Sequence, residues 1–92
     1  MELEFEWDPQ KEASNVGKHN ISFHEAGTVF ADPLSWTFPD PDHSINEERF
    51  LTIGLSSQGR TLVVSHTDRG ARTRIISART ATPRERRDYE EG

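Results

Sequence analysis

Two turn signals eleven residues apart, Ser57-Gln58-Gly59 and Asp68-Arg69-Gly70, constrain this chain more than any other feature. Each interrupts a run of alternating side chains, so the segments on either side must be antiparallel strands joined by tight turns. Residues 47–56 place Leu51, Ile53 and Leu55 on one side, residues 60–67 set Leu62, Val64 and His66 against Val63 and Ser65, and residues 71–79 form the last strand. Upstream, Leu34, Trp36 and Phe38 keep the same period of two until Pro39-Asp40-Pro41-Asp42-His43-Ser44 forces a loop, which crosses over to residue 47. The second half of the chain is therefore a four-stranded meander.

The first half reads differently. Leu3, Phe5 and Trp7 alternate with Glu2, Glu4 and Glu6, the pattern of a short antiparallel strand with one wet, edge-protecting face. Asp8-Pro9 supplies an N-cap and a proline at the first helical position, which predicts a helix from Pro9 to Lys18, weakened at its end by Gly17 and Asn20. Ser22, with Glu25 three residues on, has the form of a capping box for a second helix that carries Phe23, Ala26 and Phe30 on one face and stops at Asp32-Pro33. Thr82-Pro83-Arg84-Glu85 is a further capping box, so a short helix closes the chain. The order β-α-α-β-β-β-β-α predicts an α+β fold, an antiparallel sheet with two N-terminal helices and a short C-terminal helix.

At 92 residues the chain fits one domain, residues 1–92, with one modest core. No apolar run approaches the roughly 20 residues needed to cross a bilayer, and the acidic start is unlike a signal peptide, which leads us to expect a cytoplasmic protein without membrane contact. There is no cysteine, so disulfides, thiolate nucleophiles and cysteine-ligated zinc are excluded.

The net charge of −5 conceals an uneven distribution. Residues 1–48 hold two lysines against eleven carboxylates, whereas residues 49–92 hold nine arginines, no lysine and five carboxylates. Arginine used to this extent points to its planar five-donor fork, which grips phosphate or carboxylate through two bonds at once. The densest cluster runs from Arg74-Ile75-Ile76-Ser77-Ala78-Arg79 into Thr82-Pro83-Arg84-Glu85-Arg86-Arg87. Strict alternation sends Arg72, Arg74, Ile76 and Ala78 to one face and Thr73, Ile75, Ser77 and Arg79 to the other, so Arg74 and Arg79 share a face only if the strand is bulged or ended. Each is either the partner of a surface carboxylate or a donor to a phosphate. Lys18-His19 suits a helix C-terminus, and His19 also has an imidazole able to move protons near neutral pH. His66, between apolar neighbours, is a core or cleft-wall histidine or an acid/base group; His24 and His43 are placed on the surface. Tyr89 either packs its ring or offers its hydroxyl to a leaving group. The histidines have no metal-ligand spacing, and no glycine-rich phosphate loop or nucleophile elbow is present; no metal and no cofactor are expected.

Taken in order, Trp7-Asp8-Pro9, Asn15, Lys18-His19, Ser22-Phe23-His24-Glu25-Ala26, Val29-Phe30-Ala31-Asp32-Pro33, Glu48-Arg49, Ile53-Gly54, Arg74-Ile75-Ile76-Ser77-Ala78-Arg79, Glu85-Arg86 and Tyr89 closely resemble the BrnT toxin family. The resemblance spans nearly the whole chain. It implies a RelE-like ribonuclease fold, a toxin that cleaves RNA and arrests translation, and a BrnA-like antitoxin that neutralises it and itself binds DNA. The family's basic and polar positions fall here on Lys18, His19, Arg49, Arg74, Ser77, Arg79 and Tyr89. Position 20 is Asn where the family commonly has Gly, and Asn tolerates the left-handed backbone that such a turn needs.

The resemblance implies an endoribonuclease in which the ribose 2′-hydroxyl attacks the adjacent phosphate, and the lack of cysteine and of a metal-ligand set fits such a metal-independent mechanism. Arg74 and Arg79 are the expected charge stabilisers, His19 or His66 the acid/base group, and Lys18 or Tyr89 a supporting contact; Arg49, Arg72, Ser77 and Arg86 are expected to hold RNA. The competing class is a non-catalytic interaction module whose arginines bind an acidic partner, since arginine also favours protein interfaces. A DNA-binding module fits less well, because only the short last helix carries an exposed basic face.

Overall fold

The computed structural model describes residues 3–92. In chain order it contains β1 (Glu4–Glu6), α1 (Pro9–His19), α2 (Phe23–Thr28) with a 3-10 turn at Val29–Ala31, β2 (Trp36–Pro39), β3 (Arg49–Leu55), β4 (Thr61–Arg69), β5 (Arg72–Thr80) and α3 (Pro83–Glu91). A further 3-10 turn, Pro41–His43, lies inside the loop between β2 and β3. Among the described residues, no helix is long and apolar enough to cross a membrane.

Local signals set most boundaries. The Asp8 carboxylate accepts from the backbone of Gln10 at the start of α1, and Asn20 ends that helix in the left-handed region at φ 56°. At the start of α3, Thr82 and Glu85 bond reciprocally as a complete capping box. The box expected at α2 is only half made. Ser22 Oγ accepts from the Glu25 backbone at 3.1 Å, but the Glu25 carboxylate turns away to Arg60 and Ser56, because a full ion pair in a buried position outweighs one exposed N–H bond.

The five strands lie in the order β1-β5-β4-β3-β2. The meander is antiparallel as expected, but β1 pairs parallel to β5, with Glu4 opposite Arg72 and Glu6 opposite Arg74, so the sheet is mixed. This corrects the all-antiparallel expectation; alternation reports which face a side chain takes and is blind to strand direction. β2 also begins later than the pattern implied, leaving Leu34 in the preceding turn, 72% exposed.

Helices α1 and α2 cover one face of the sheet. Ile21, Phe23, Ala26 and Val29 meet Leu62, Val64, Ile75 and Ala78, with Phe5, Trp7 and Phe30 packed around them. To this face β3 contributes Phe50, Thr52 and Gly54, whose partners on β4 are His66, Val64 and Leu62, and the Leu51-Ile53-Leu55 side faces away from α1 and α2. Gly54 admits the helix layer so closely that a Cβ there would stand 2.8 Å from both Val29 Cγ1 and Ser35 Cβ. A glycine and a threonine therefore sit under the helices while Leu55 stays 44% exposed.

Asn15, buried in α1, fixes the helix to the sheet. Its amide nitrogen donates to the carbonyls of Ile21 and Ala78, both at 2.9 Å, and its oxygen accepts from the Ala78 backbone at 3.0 Å. β1 pairs only with Arg72–Arg74, so Asn15 satisfies a backbone stretch of β5 that has no strand beside it.

Candidate nucleic-acid interface

The decisive local feature is a β-bulge in β5. Ser77 pairs with Ser65 and Ile75 with His66, which leaves Ile76 as the extra residue. Ile75 and Ala78, expected on opposite faces, both enter the helix-side core at 1% exposure. By the same half-turn of the strand, Arg72, Arg74, Ser77 and Arg79 all come to the other face.

The register arranges that second face in three rows across the sheet. Trp36, Ile53, Val63 and Arg79 form one; Phe38, Leu51, Ser65 and Ser77 the next; Arg49, Thr67, Arg74 and Glu6 the third. Aromatic side chains stand on the β2 side and arginines on the β5 side, with Arg49 on β3 completing the third row. Helix α3 crosses one end of this face. Glu85 ties it to Arg79, and the Tyr89 hydroxyl donates to the Asp32 carboxylate in the turn before β2.

Each arginine of β5 has a carboxylate partner. Arg79 holds Glu85 through two bonds of 2.7 and 3.0 Å, which pulls the Glu85 carboxyl down to about 2 and raises the Arg79 guanidinium further. Arg74 donates to Glu6 at 2.7 Å, and Arg72 stands 3.7 Å from Glu4 and 4.0 Å from Glu6. Both the Arg79 and Arg74 pairs are only partly buried, so an incoming anion can compete for the same forks. Arg49 is enclosed differently. Its Nε is buried without a partner among the described residues, beside a hollow of about 270 Å³ lined by Asp42, His43, Ile45 and Glu47.

Other expected residues lie elsewhere. Lys18 and His19 end α1 on the helix side of the sheet, exposed, and make no side-chain hydrogen bond or ion pair among the described residues. His66 is not on the arginine face at all. It is 5% exposed under Phe30 and beside Phe50, with Nε2 2.7 Å from Thr52 Oγ1 and Nδ1 unpartnered among the described residues. Burial depresses its pKa, against a smaller opposing pull from Asp68, and keeps it neutral. His66 thus lies across the sheet from Arg74 and Arg79, because its own partner on β5 is Ile75 while theirs on β4 are Thr67 and Val63. The Tyr89 hydroxyl is pushed up to about 12, chiefly by its bond to Asp32, which holds the phenol protonated. Burial works to raise the Asp32 carboxyl, yet bonds from Tyr89 and from the Leu55 and Leu34 backbones outweigh it and leave it lowered. Arg86 lines an open hollow of about 530 Å³ with Arg60, Thr80 and Ala81. His24 and His43 are exposed, as expected.

One charged pair escaped sequence reasoning. Arg60 donates through Nε to Glu25 at 2.9 Å, makes a second contact to the same carboxylate and reaches the Asn20 carbonyl at 3.0 Å, while Ser56 Oγ donates to Glu25 at 2.7 Å. The Arg60 bond is the main reason that Glu25 stays ionised although buried. These contacts clamp the β3–β4 hairpin to the end of α1 and the start of α2. A sequence separation of 35 between Glu25 and Arg60 hid the pair from any local pattern. Among the described residues, no group of three His, Asp or Glu side chains is placed to hold a metal ion.

Comparison with known proteins gives a family and a fold. Residues 7–85 match the family model described as the ribonuclease toxin, BrnT, of type II toxin-antitoxin systems. Among solved structures, the Brucella abortus ribonuclease toxin BrnT aligns with a TM-score of 0.69 and 21% identity, over 88% of this chain and 99% of that one, and so shares its fold. No curated protein matches the chain.

Proposed function

The chain belongs to the BrnT family of ribonuclease toxins of type II toxin–antitoxin systems, and from that premise we propose that it cleaves RNA on the three-row face of its sheet. The observation that carries this reading is the β5 bulge, which gathers Arg72, Arg74, Ser77 and Arg79 on one surface. Attack by a ribose 2′-oxygen on the adjacent phosphorus, with its proton passing to a base, forms a cyclic phosphate and breaks the bond to the 5′-oxygen, which leaves with a proton from an acid. The step needs no protein nucleophile and no metal. Negative charge grows on the phosphorane oxygens, where guanidinium forks from Arg74 and Arg79 lower the barrier. Arg49, Arg72 and Arg86 extend the cationic surface for the flanking backbone, and Ser77 adds a hydroxyl between Arg74 and Arg79. Exposed on the helix side, Lys18 and His19 are proposed to act in proton transfer or backbone contact where RNA wraps the edge of the sheet. Tyr89 serves by anchoring α3.

In this reading the fold is RelE-like, cleavage arrests translation in the cytoplasm, and a BrnA-like antitoxin holds the protein inactive and supplies any contact with DNA. The test is cleavage of RNA by purified protein in EDTA, with products ending in a cyclic phosphate. Cleavage that appears only when a divalent ion is added would overturn the metal-independent mechanism. One observation favours the second reading, a non-catalytic interaction module: each β5 arginine on this face is already paired with a carboxylate. That reading requires Arg74→Ala and Arg79→Ala to weaken partner binding while RNA stays intact in the wild type as well.

A further inference from the structure

Trp36 and Phe38 stand on the edge strand β2, 47% and 41% exposed, with ring centroids 6.3 Å apart. Single exposed apolar side chains are ordinary, but two neighbouring rings on one face of an edge strand form a surface that water solvates poorly. The register puts Trp36 in the same row as Arg79, with the buried Ile53 and Val63 between them, and Phe38 in the same row as Ser77. Three strand spacings separate the rings from the arginines, about 14 Å.

We propose that Trp36 and Phe38 form a base-stacking platform, and that the substrate of this face is RNA with unpaired bases. The inference rests on the ribonuclease reading and deepens it by naming the substrate class. A cationic row that tracks phosphates beside aromatic rings that take the bases is the combination by which single-stranded nucleic acids are held without sequence readout. In a duplex the base faces are stacked on one another and out of reach of the rings. The edge itself is poorly suited to pairing with a strand from a second copy, because β2 is four residues long and ends in Pro39, which lacks an N–H. The charge pattern also gives a direction. Four residues beyond Phe38 stands Asp42, which repels a phosphate backbone, and Asp40, two residues beyond Phe38, already holds His43 at 2.8 Å, while Trp36 shares its row with Arg79. Trp36 is therefore the stronger stacking position of the two.

The probe is a short 2′-O-methyl oligoribonucleotide, which lacks the attacking hydroxyl and so reports binding without turnover. Trp7 packs against Phe23 on the helix side, so fluorescence in a Trp7→Phe background reports Trp36 alone. We expect quenching on adding the single-stranded oligomer, and none with an abasic ribose-phosphate oligomer or a duplex of equal length. Trp36→Thr should weaken single-strand binding about 5- to 100-fold, Phe38→Thr less, and Trp36→Phe should restore most of the loss; binding of the abasic oligomer and the melting temperature should not move. Binding of the single strand without quenching, and with wild-type affinity in Trp36→Thr, overturns the platform and leaves the ribonuclease reading standing. Loss of antitoxin binding in Trp36→Thr with RNA binding intact makes the rings a protein-docking surface and overturns the platform equally. A wild-type protein that binds no RNA of any form overturns both readings.

Discussion

On its helix side the sheet buries Leu62, Val64, Ile75 and Ala78 under Ile21, Phe23, Ala26 and Val29, whereas on its other side the same strands present Arg72, Arg74, Ser77 and Arg79 opposite Trp36 and Phe38. The polar groups of the helix side are mostly enclosed and matched, as Asn15 and Glu25 are. Those of the other side are ion pairs at partial exposure, where water and a competing anion both have access. The helix side therefore carries the main core, while the other side combines the buried Ile53 and Val63 with arginine pairs that can exchange partners. Substitutions should separate accordingly, costing folding on the first face and RNA handling on the second.

The largest effect should come from the helix side. Phe23 is fully buried in the middle of the core, and Phe23→Ala should cost about 3–5 kcal/mol of unfolding free energy. Denaturant titration measures this. Cleavage per folded molecule should be unchanged, and a fall in that quantity would break the division between the faces.

On the arginine face the order reverses. Arg79→Ala should lower RNA cleavage roughly 10²–10³-fold, the usual loss for one transition-state donor, with little change in the denaturation midpoint. Arg74→Ala should behave alike in single-turnover assays. Normal turnover combined with a clear loss of stability would assign either arginine to its carboxylate partner alone.

How far the two faces were legible in the sequence follows from the range over which each signal acts. Asp8, Asn20, Thr82 and Glu85 bond within a few residues of themselves, and the helix ends they specify were all readable. The bulge at Ile76 was not, because alternation over nine residues fits a flat strand as well as a shifted one. Only the burial of both Ile75 and Ala78 decides between them. Which side of β3 meets the helices was not readable either, since the packing at Gly54 depends on a close approach by Val29 that no periodicity encodes. Glu25 was readable as a cap and unreadable as the partner of Arg60. The family resemblance was readable because it needs only ordered residue identities, not their contacts, and residues 7–85 bear it out.

A smaller effect separates the faces by pH. The folded protein holds His66 at a lowered pKa, so the unfolded chain takes up the proton first as pH falls. The stability from keeping His66 neutral is thus fully present above the unfolded value of about 6.5 and is lost as pH drops towards the lower folded value. Glu25, Asp32 and Glu85 are also lowered, but as carboxylates they contribute their own losses in a more acidic range. Melting temperature should therefore decline between pH 7.5 and 5.5 in the wild type and stay flatter in His66→Gln, whose amide still reaches Thr52. Equal slopes in the two proteins would show that His66 protonates as freely folded as unfolded.

The smallest effect, and the one that bears most directly on how the arginine face exchanges partners, is expected at Glu85. This carboxylate occupies both donors of Arg79 that a phosphate would use, and at 34% side-chain exposure its pair is screened by water. Breaking it should cost less than about 1 kcal/mol of stability. Glu85→Gln is the informative change, because a glutamine oxygen can still accept from the Thr82 backbone and preserve the cap of α3 while the charge disappears. Arg79 then faces the sheet surface with its positive charge uncompensated. Binding of the 2′-O-methyl oligomer should strengthen by a few-fold at low salt, and the gain should shrink as salt screens the phosphate contacts. If binding weakens instead, Glu85 is not a competitor for the phosphate but the group that orients the Arg79 fork towards it, and the pair acts as one unit.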